Sequence, residues 1–150
     1  MGAHVRLSAR AFSASIAGMI LTHGNAAKDG AHARSWFVGD LANWLGGGAA
    51  ATDPRTFGLR QSAAVEMKWG VHRAGDTRPD WAECVEKLTM SLLIRGGFLL
   101  QFRSPVARNH ITERRLQHEG DYVIWGANLE HTWVVEQDSV ILTIRWKAAP

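Results

Sequence analysis

Cysteine is nearly missing from this chain of 150 residues; Cys84 stands alone. A single thiol excludes an intrachain disulfide and a cysteine-built zinc cluster. It fits a reducing compartment, and a cytoplasmic location is expected. Excess charge is missing too. The formal net charge is +3 and the arginines are scattered, with no basic run. That balance leaves no electrostatic footprint for nucleic acid, so none is expected as a partner. No apolar run approaches the roughly 20 residues of a membrane-spanning helix, and no membrane partner is expected. The Gly-x-Ser-x-Gly nucleophile turn, the Gly-x-Gly-x-x-Gly dinucleotide fingerprint and the zincin His pair are all absent. The Gly/Ala-rich stretch at 46–52 runs into Asp53-Pro54. It lacks the Lys-Ser/Thr of a phosphate loop and is expected to be a flexible loop.

What is present describes an ordinary globular chain. Hydrophobic residues make up 46% and charged residues 21%, and this length suits one domain with a real core. Seven tryptophans are many for the size. Indoles favour half-buried walls with one polar edge satisfied, although filling a core is their commoner use. Residues 1–31 differ from the rest. Arg6 and Arg10 precede an apolar stretch from Ala11 to Thr22, and Ala31-His-Ala33 follows. These are the parts of a secretory signal, but Ser and Gly dilute the apolar segment. A short amphipathic helix or a loosely ordered leader is expected there, followed by a single domain over 32–150.

From residue 63 onward the apolar period is two. Val65, Met67, Trp69 and Val71 alternate with Glu66, Lys68, Gly70 and His72. That is a half-buried strand, with the apolar set expected in the hydrophobic layer and Glu66, Lys68 and His72 facing a lumen or solvent. Strands are also expected over 88–94, 98–102, 113–118, 122–125, 131–135 and 140–146, with an edge strand near Trp36-Phe-Val38. Gly96-Gly97 is expected to be a hairpin turn, Gln137-Asp138 a second turn and 104–109 a loop. Short strands at regular spacing argue for an all-β sandwich or barrel.

The segment Gly120-Asp-Tyr-Val-Ile-Trp-Gly126-Ala-Asn128-Leu-Glu-His131 resembles the second motif of the cupin family. That motif is a Gly, five residues, Pro-x-Gly, two residues and a His that often binds metal. Gly126 replaces the Pro and Asn128 the second Gly. Lys68-Trp-Gly-Val-His72, Gly120–Gly126 and Asp138–Trp146 are similar to segments of small single-domain bacterial cupins. The resemblance implies a cupin-like jelly-roll β-barrel, or double-stranded β-helix, with its core at about 63–146 behind an N-terminal extension. The family's first motif carries a His-x-His pair and a Glu. Counting back from Gly96 puts Thr89 at the Glu position and Ala82 and Cys84, or Glu83 and Val85, at the His positions. Counting back from Gly97 puts Met90 at the Glu position and allows Cys84 and Glu86 at the His positions. The usual metal set is therefore incomplete.

His131 is the leading candidate. The resemblance turns it into the lumen as acid, base, ligand contact or metal ligand. Trp133, two residues on, shares its face, and the pair suits a flat organic ligand. His72 is a second candidate acid or base. Lys68, Trp69, Thr89, Trp81 and Arg145 complete the candidate ligand-binding set. Trp81 follows Arg78-Pro-Asp80 in a loop that caps either a pocket mouth or the core. Arg145 suits a bidentate grip on a carboxylate or a cross-strand ion pair. The expected function is a small-molecule-binding barrel with a His/Trp-lined lumen that binds or acts on a small organic ligand without a complete metal set. One rival is a metal-dependent dioxygenase or isomerase with Fe, Mn, Ni or Zn on His131 and non-standard donors among Cys84, Glu83, Glu86 and His72. Another is a non-catalytic dimeric scaffold. Because the apolar edge at Trp36–Val38 needs covering, a homodimer is expected.

Overall fold

The computed structural model describes residues 23–46, 59–83 and 86–148. Residues 1–22 of the leader expected over 1–31, most of the Gly/Ala-rich loop and Cys84 lie outside the described residues. Among the described residues no helix is long and apolar enough to cross a membrane.

Among the described residues, two single-turn helices lead into the sheet. In α1 (Ala26–Asp29) the Asn25 side chain accepts from the Lys28 N–H at 3.1 Å, and Asp29 accepts from the Asn25 N–H at 2.9 Å. This reciprocal cap satisfies amides that a short helix leaves open. Next come β1 (Trp36–Val38), α2 (Leu41–Trp44) and β2 (Val65–His72), then β3 (Leu88–Ser104), β4 (Ala107–Leu116), β5 (Tyr122–Trp125) and β6 (Glu130–Trp146). The sheet order is β1-β2-β6-β3-β4, every pairing between these strands is antiparallel, and β5 also pairs with β3. β1 is the edge expected from the sequence; α1 and α2 lie against it, and Trp44 packs on Trp36 with ring centroids 5.5 Å apart.

β3 and β6 run together over their whole lengths, and their course closes the barrel. Trp125 pairs with Thr89 near the start of β3. Its ring nevertheless meets Phe102, near the end of β3, at 5.1 Å. Thirteen residues of straight strand would hold Thr89 and Phe102 roughly 40 Å apart. β3 must therefore fold back on itself, and β6 bends with it. The result is an all-β jelly-roll barrel, as expected.

The bend corrects two readings of the sequence. Gly96-Gly97 and Gln137-Asp138 are not chain reversals. They face each other across a bulge in one continuous β3–β6 ladder, where the register shifts between Leu93 and Phe98. Gly96 has φ +99°, and a Cβ there would lie 2.3 Å from the Asp138 carbonyl oxygen. Glycine is the residue that permits this local kink, and turn-forming residues serve a bulge as well as a hairpin. The expected loop at 104–109 also shrinks, because β4 already begins at Ala107.

The core comprises Leu93, Phe98, Leu100, Phe102, Leu116, Trp125, Val135 and Ile141. Each such side chain contributes about 1.5–3 kcal/mol on leaving water. β2 presents Lys68 and His72 to the lumen, one of the two settings expected, but its apolar side does not lie in a closed hydrophobic layer. Glu66 and Gly70 are buried, while Val71 is 63% exposed and Val65, Met67 and Trp69 are only partly covered. The polar set of β2 points inward because the interior beside it is a polar cavity, not part of the apolar core.

Candidate functional site

Two rows of the ladder build one wall of that cavity. Arg145 on β6 sits between Glu66 on β2 and Thr89 on β3, and Thr89 in turn faces Trp125 on β5. One pleat along, Lys68 sits between Trp36 and Thr143, and Thr143 faces Ser91. The other halves of β3 and β6 supply Phe98, Leu100, His131 and Trp133. Gly70, His72, Arg78 and Ile141 complete the lining of a cavity of about 100 Å³.

His131 sits deep in the wall at 8% exposure. Its backbone is fixed by exchanged hydrogen bonds with Ala82, N–H to O at 3.0 and 2.8 Å. Its ring packs against Trp125 at 5.0 Å and Phe102 at 6.5 Å. Neither His131 Nδ1 nor Trp125 Nε1, both buried, has a hydrogen-bond partner among the described residues. Burial holds the His131 imidazole down to about 4, with Arg78, Arg145 and Lys68 adding to the effect, so the ring is neutral at pH 7. His72 packs on Trp133 at 4.8 Å and Phe98 at 5.5 Å. Its pKa is lowered by burial and by Lys68, with Asp76 opposing.

The cations have distinct settings. Lys68 lies 5.9 Å from the Trp36 ring centroid, and burial, then Arg145 and Arg78, lower its pKa. Arg145 stacks on the same indole at 4.7 Å and stands 4.0 Å from Glu66, which is also ion-paired with Lys87. Arg78 Nε donates to the Asp80 carbonyl at 3.1 Å, and its backbone N–H donates to the Trp133 carbonyl at 3.1 Å.

The structure thus gathers His131, His72, Lys68, Thr89, Trp133 and Arg145 around one cavity. It leaves out two members of the candidate set. Trp69 alternates with Lys68 and Gly70 and so faces the other side of β2. Trp81 lies under Arg103, whose guanidinium carbon is 4.1 Å from its ring centroid, and does not line the cavity. There Arg103 and Arg108 both donate to buried Glu130, at 2.6 and 3.1 Å. Sequence reasoning missed Trp36, Arg78, Ser91, Trp125 and Thr143. Ser91 and Thr143 carry the signal of period two from Thr89 and Arg145, whereas Arg78 is placed only by the tertiary fold.

The donor set does not fit a first-row transition metal, which needs about three or four converging N, O or S donors. No group of three or more His, Cys, Asp or Glu that could hold an ion occurs among the described residues. Glu83 and Glu86 are exposed, and Lys68, Arg78 and Arg145 place positive charge where a cation would sit.

The sequence matches no family model and no curated protein. Among solved structures, the chain is similar to a cupin superfamily protein from Desulfitobacterium hafniense, with 17% identity and a TM-score of 0.48 over 59% of this chain and 72% of that one. It is similar to KdgF from a Halomonas species, with 17% identity and a TM-score of 0.45 over 59% and 74%. It also resembles the Drosophila melanogaster CENP-C cupin domain, with 12% identity and a TM-score of 0.44 over 57% of each chain. By its own strand order and pairing the chain is an antiparallel jelly-roll β-barrel.

Proposed function

We propose that this barrel binds a compact organic molecule in its lumen, without a resident transition metal. One observation carries the reading. His131 Nδ1 is buried, has no partner among the described residues and belongs to a ring on the wall of the cavity. A buried polar atom left unpaired costs about 1–3 kcal/mol, and a ligand group able to reach it removes that cost. Trp36, Phe98, Trp125 and Trp133 offer flat apolar surface beside it, the usual composition of a small-molecule site. A neutral His131 gives and takes one hydrogen bond each and orients the ligand or exchanges a proton with it.

The test pairs elemental analysis with a small-molecule thermal-shift screen, on the untagged protein and on His131→Ala. The expected result is no stoichiometric metal in either protein and stabilising ligands that His131→Ala no longer recognises. Near-stoichiometric Fe, Mn, Ni or Zn that disappears in His131→Ala would overturn the metal-free reading and establish the rival metal enzyme.

A further inference from the structure

We infer that the ligand is an organic carboxylate whose anionic group is held by Lys68, Arg78 and Arg145. This deepens the reading of the cavity as a ligand site and rests on it. Three cationic side chains line the cavity, and none of its described lining residues is an Asp or Glu. Glu66 lies on the same side of β2 as Lys68 but is not among the lining residues, and its charge is taken by Lys87 and Arg145. Asp76, which acts on His72, accepts from the Arg73 N–H at 2.9 Å. Lys68 has no hydrogen bond or ion pair among the described residues, and its ammonium stands 5.9 Å from the Trp36 ring centroid. A half-buried ammonium without a counter-charge is costly, and proteins normally pair such groups.

The hydrogen-bonding inventory points the same way. Lys68 and the Trp125 Nε1–H can only donate, and the Trp125 N–H is buried without a partner at 5% exposure. The arginines also only donate, while the hydroxyls of Thr89, Ser91 and Thr143 can turn to donate. The fixed groups are thus donors, and the acceptors that remain are neutral imidazoles and hydroxyls. A carboxylate is acceptor-only, with about four lone-pair sites on two oxygens, and complements this wall. A cationic ligand would meet three like charges, and a primary amide would bring two N–H donors to a wall already supplied with donors. The aromatic side chains opposite take the carbon skeleton, which separates a carboxylate from a bare inorganic anion.

The experiment is calorimetric titration with matched acids and primary amides of increasing size, namely acetate and acetamide, cyclopropanecarboxylate and its amide, benzoate and benzamide, with inorganic phosphate as the bare anion. At least one acid is expected to bind tenfold or more tightly than its amide and more tightly than phosphate. That preference should shrink about tenfold in Lys68→Met and return in Lys68→Arg, with the melting temperature of each variant within a few degrees of the parent. Amides binding as well as their acids would overturn the carboxylate assignment while leaving the ligand site standing. Phosphate binding best would overturn it in favour of an inorganic anion. Failure of every probe to bind would overturn both readings.

Discussion

Ser139 holds Gly97 by both of its backbone groups. Its hydroxyl oxygen accepts from the Gly97 N–H at 3.0 Å and lies 3.0 Å from the Gly97 carbonyl oxygen, with the Gln137 carbonyl at 2.6 Å as the alternative acceptor for its proton. The serine is buried, so the bulge that bends β3 and β6 is stitched by one side chain. Ser139→Ala removes that stitch and leaves buried backbone groups unpaired. It should cost about 1–3 kcal/mol in urea unfolding. A loss within experimental error would show that water replaces the hydroxyl.

Gly96→Ala should be worse than Ser139→Ala. Its φ of +99° lies outside the comfortable range of an L-residue, and the added Cβ would overlap the Asp138 carbonyl and the Ser139 hydroxyl. Strain of about 1–3 kcal/mol comes from the backbone alone, and the overlap adds to it. Expression and circular dichroism melting check this. A variant as stable as the parent would mean that the bulge relaxes at no cost.

His131 predicts a pH dependence of stability. An unfolded chain protonates this residue near 6.5, whereas the folded one resists until about 4. Between those values the unfolded state holds more protons, so stability rises as pH rises from about 4 to about 6.5 and is flat on either side. The contribution is on the order of 3 kcal/mol. Urea unfolding at several pH values should show this slope, and His131→Gln should flatten it. An NMR titration of the ring with a midpoint near 6.5 would contradict the prediction.

Gly70 and His72 share a face, and a Cβ on Gly70 would lie 2.6 Å from the His72 Nε2. The tip of a side chain can move where a backbone cannot. Gly70→Ala should therefore cost about 1 kcal/mol, the low end of overpacking, while displacing the imidazole and narrowing the cavity. Ligand affinity should drop severalfold at nearly unchanged melting temperature. Equal losses in both would place Gly70 in the structural core instead.

Outside the cavity, Glu130→Gln should lower the melting temperature at neutral pH. Hydrogen bonding and charge from Arg103, then Arg108, hold this carboxyl below its usual pKa. Its contribution is present above the ordinary carboxylate range and lost as pH falls through the lowered value. The gap between parent and variant should therefore close in acid, which differential scanning calorimetry at neutral and acidic pH would reveal.

The strands were legible in the sequence because period two survives in Met67, Trp69, Ile141 and Thr143 whatever lies beside them. What each face met was less legible. A period-two pattern places its apolar side against a core only when the interior is apolar. Here Lys68 and His72 point inward, toward a polar cavity, as the alternation allowed, and it is Val71 and its neighbours that find no closed apolar layer. The bulge was misread because Gly96-Gly97 and Gln137-Asp138 carry the residue types of reversals; only their mutual pairing reveals them as a kink. Of the candidate site, His131 and Thr89 came from motif spacing and Lys68 from the alternation of β2. Arg78 could not, because its position follows from an isolated loop-to-strand contact with the chain at Trp133.

The pairing of β3 with β6 also sets how the molecule must assemble. Leu88 finds Trp146 and Arg103 finds Glu130, so the ladder joins segments separated by β4 and β5. Pairings this distant in sequence make folding slow, because loop entropy is lost before contacts are gained. They also make it indivisible. Neither β3 nor β6 completes this ladder alone, so the cavity wall forms only once both are present, and a chain that ends before Arg145 lacks the strand that joins Glu66 to Thr89.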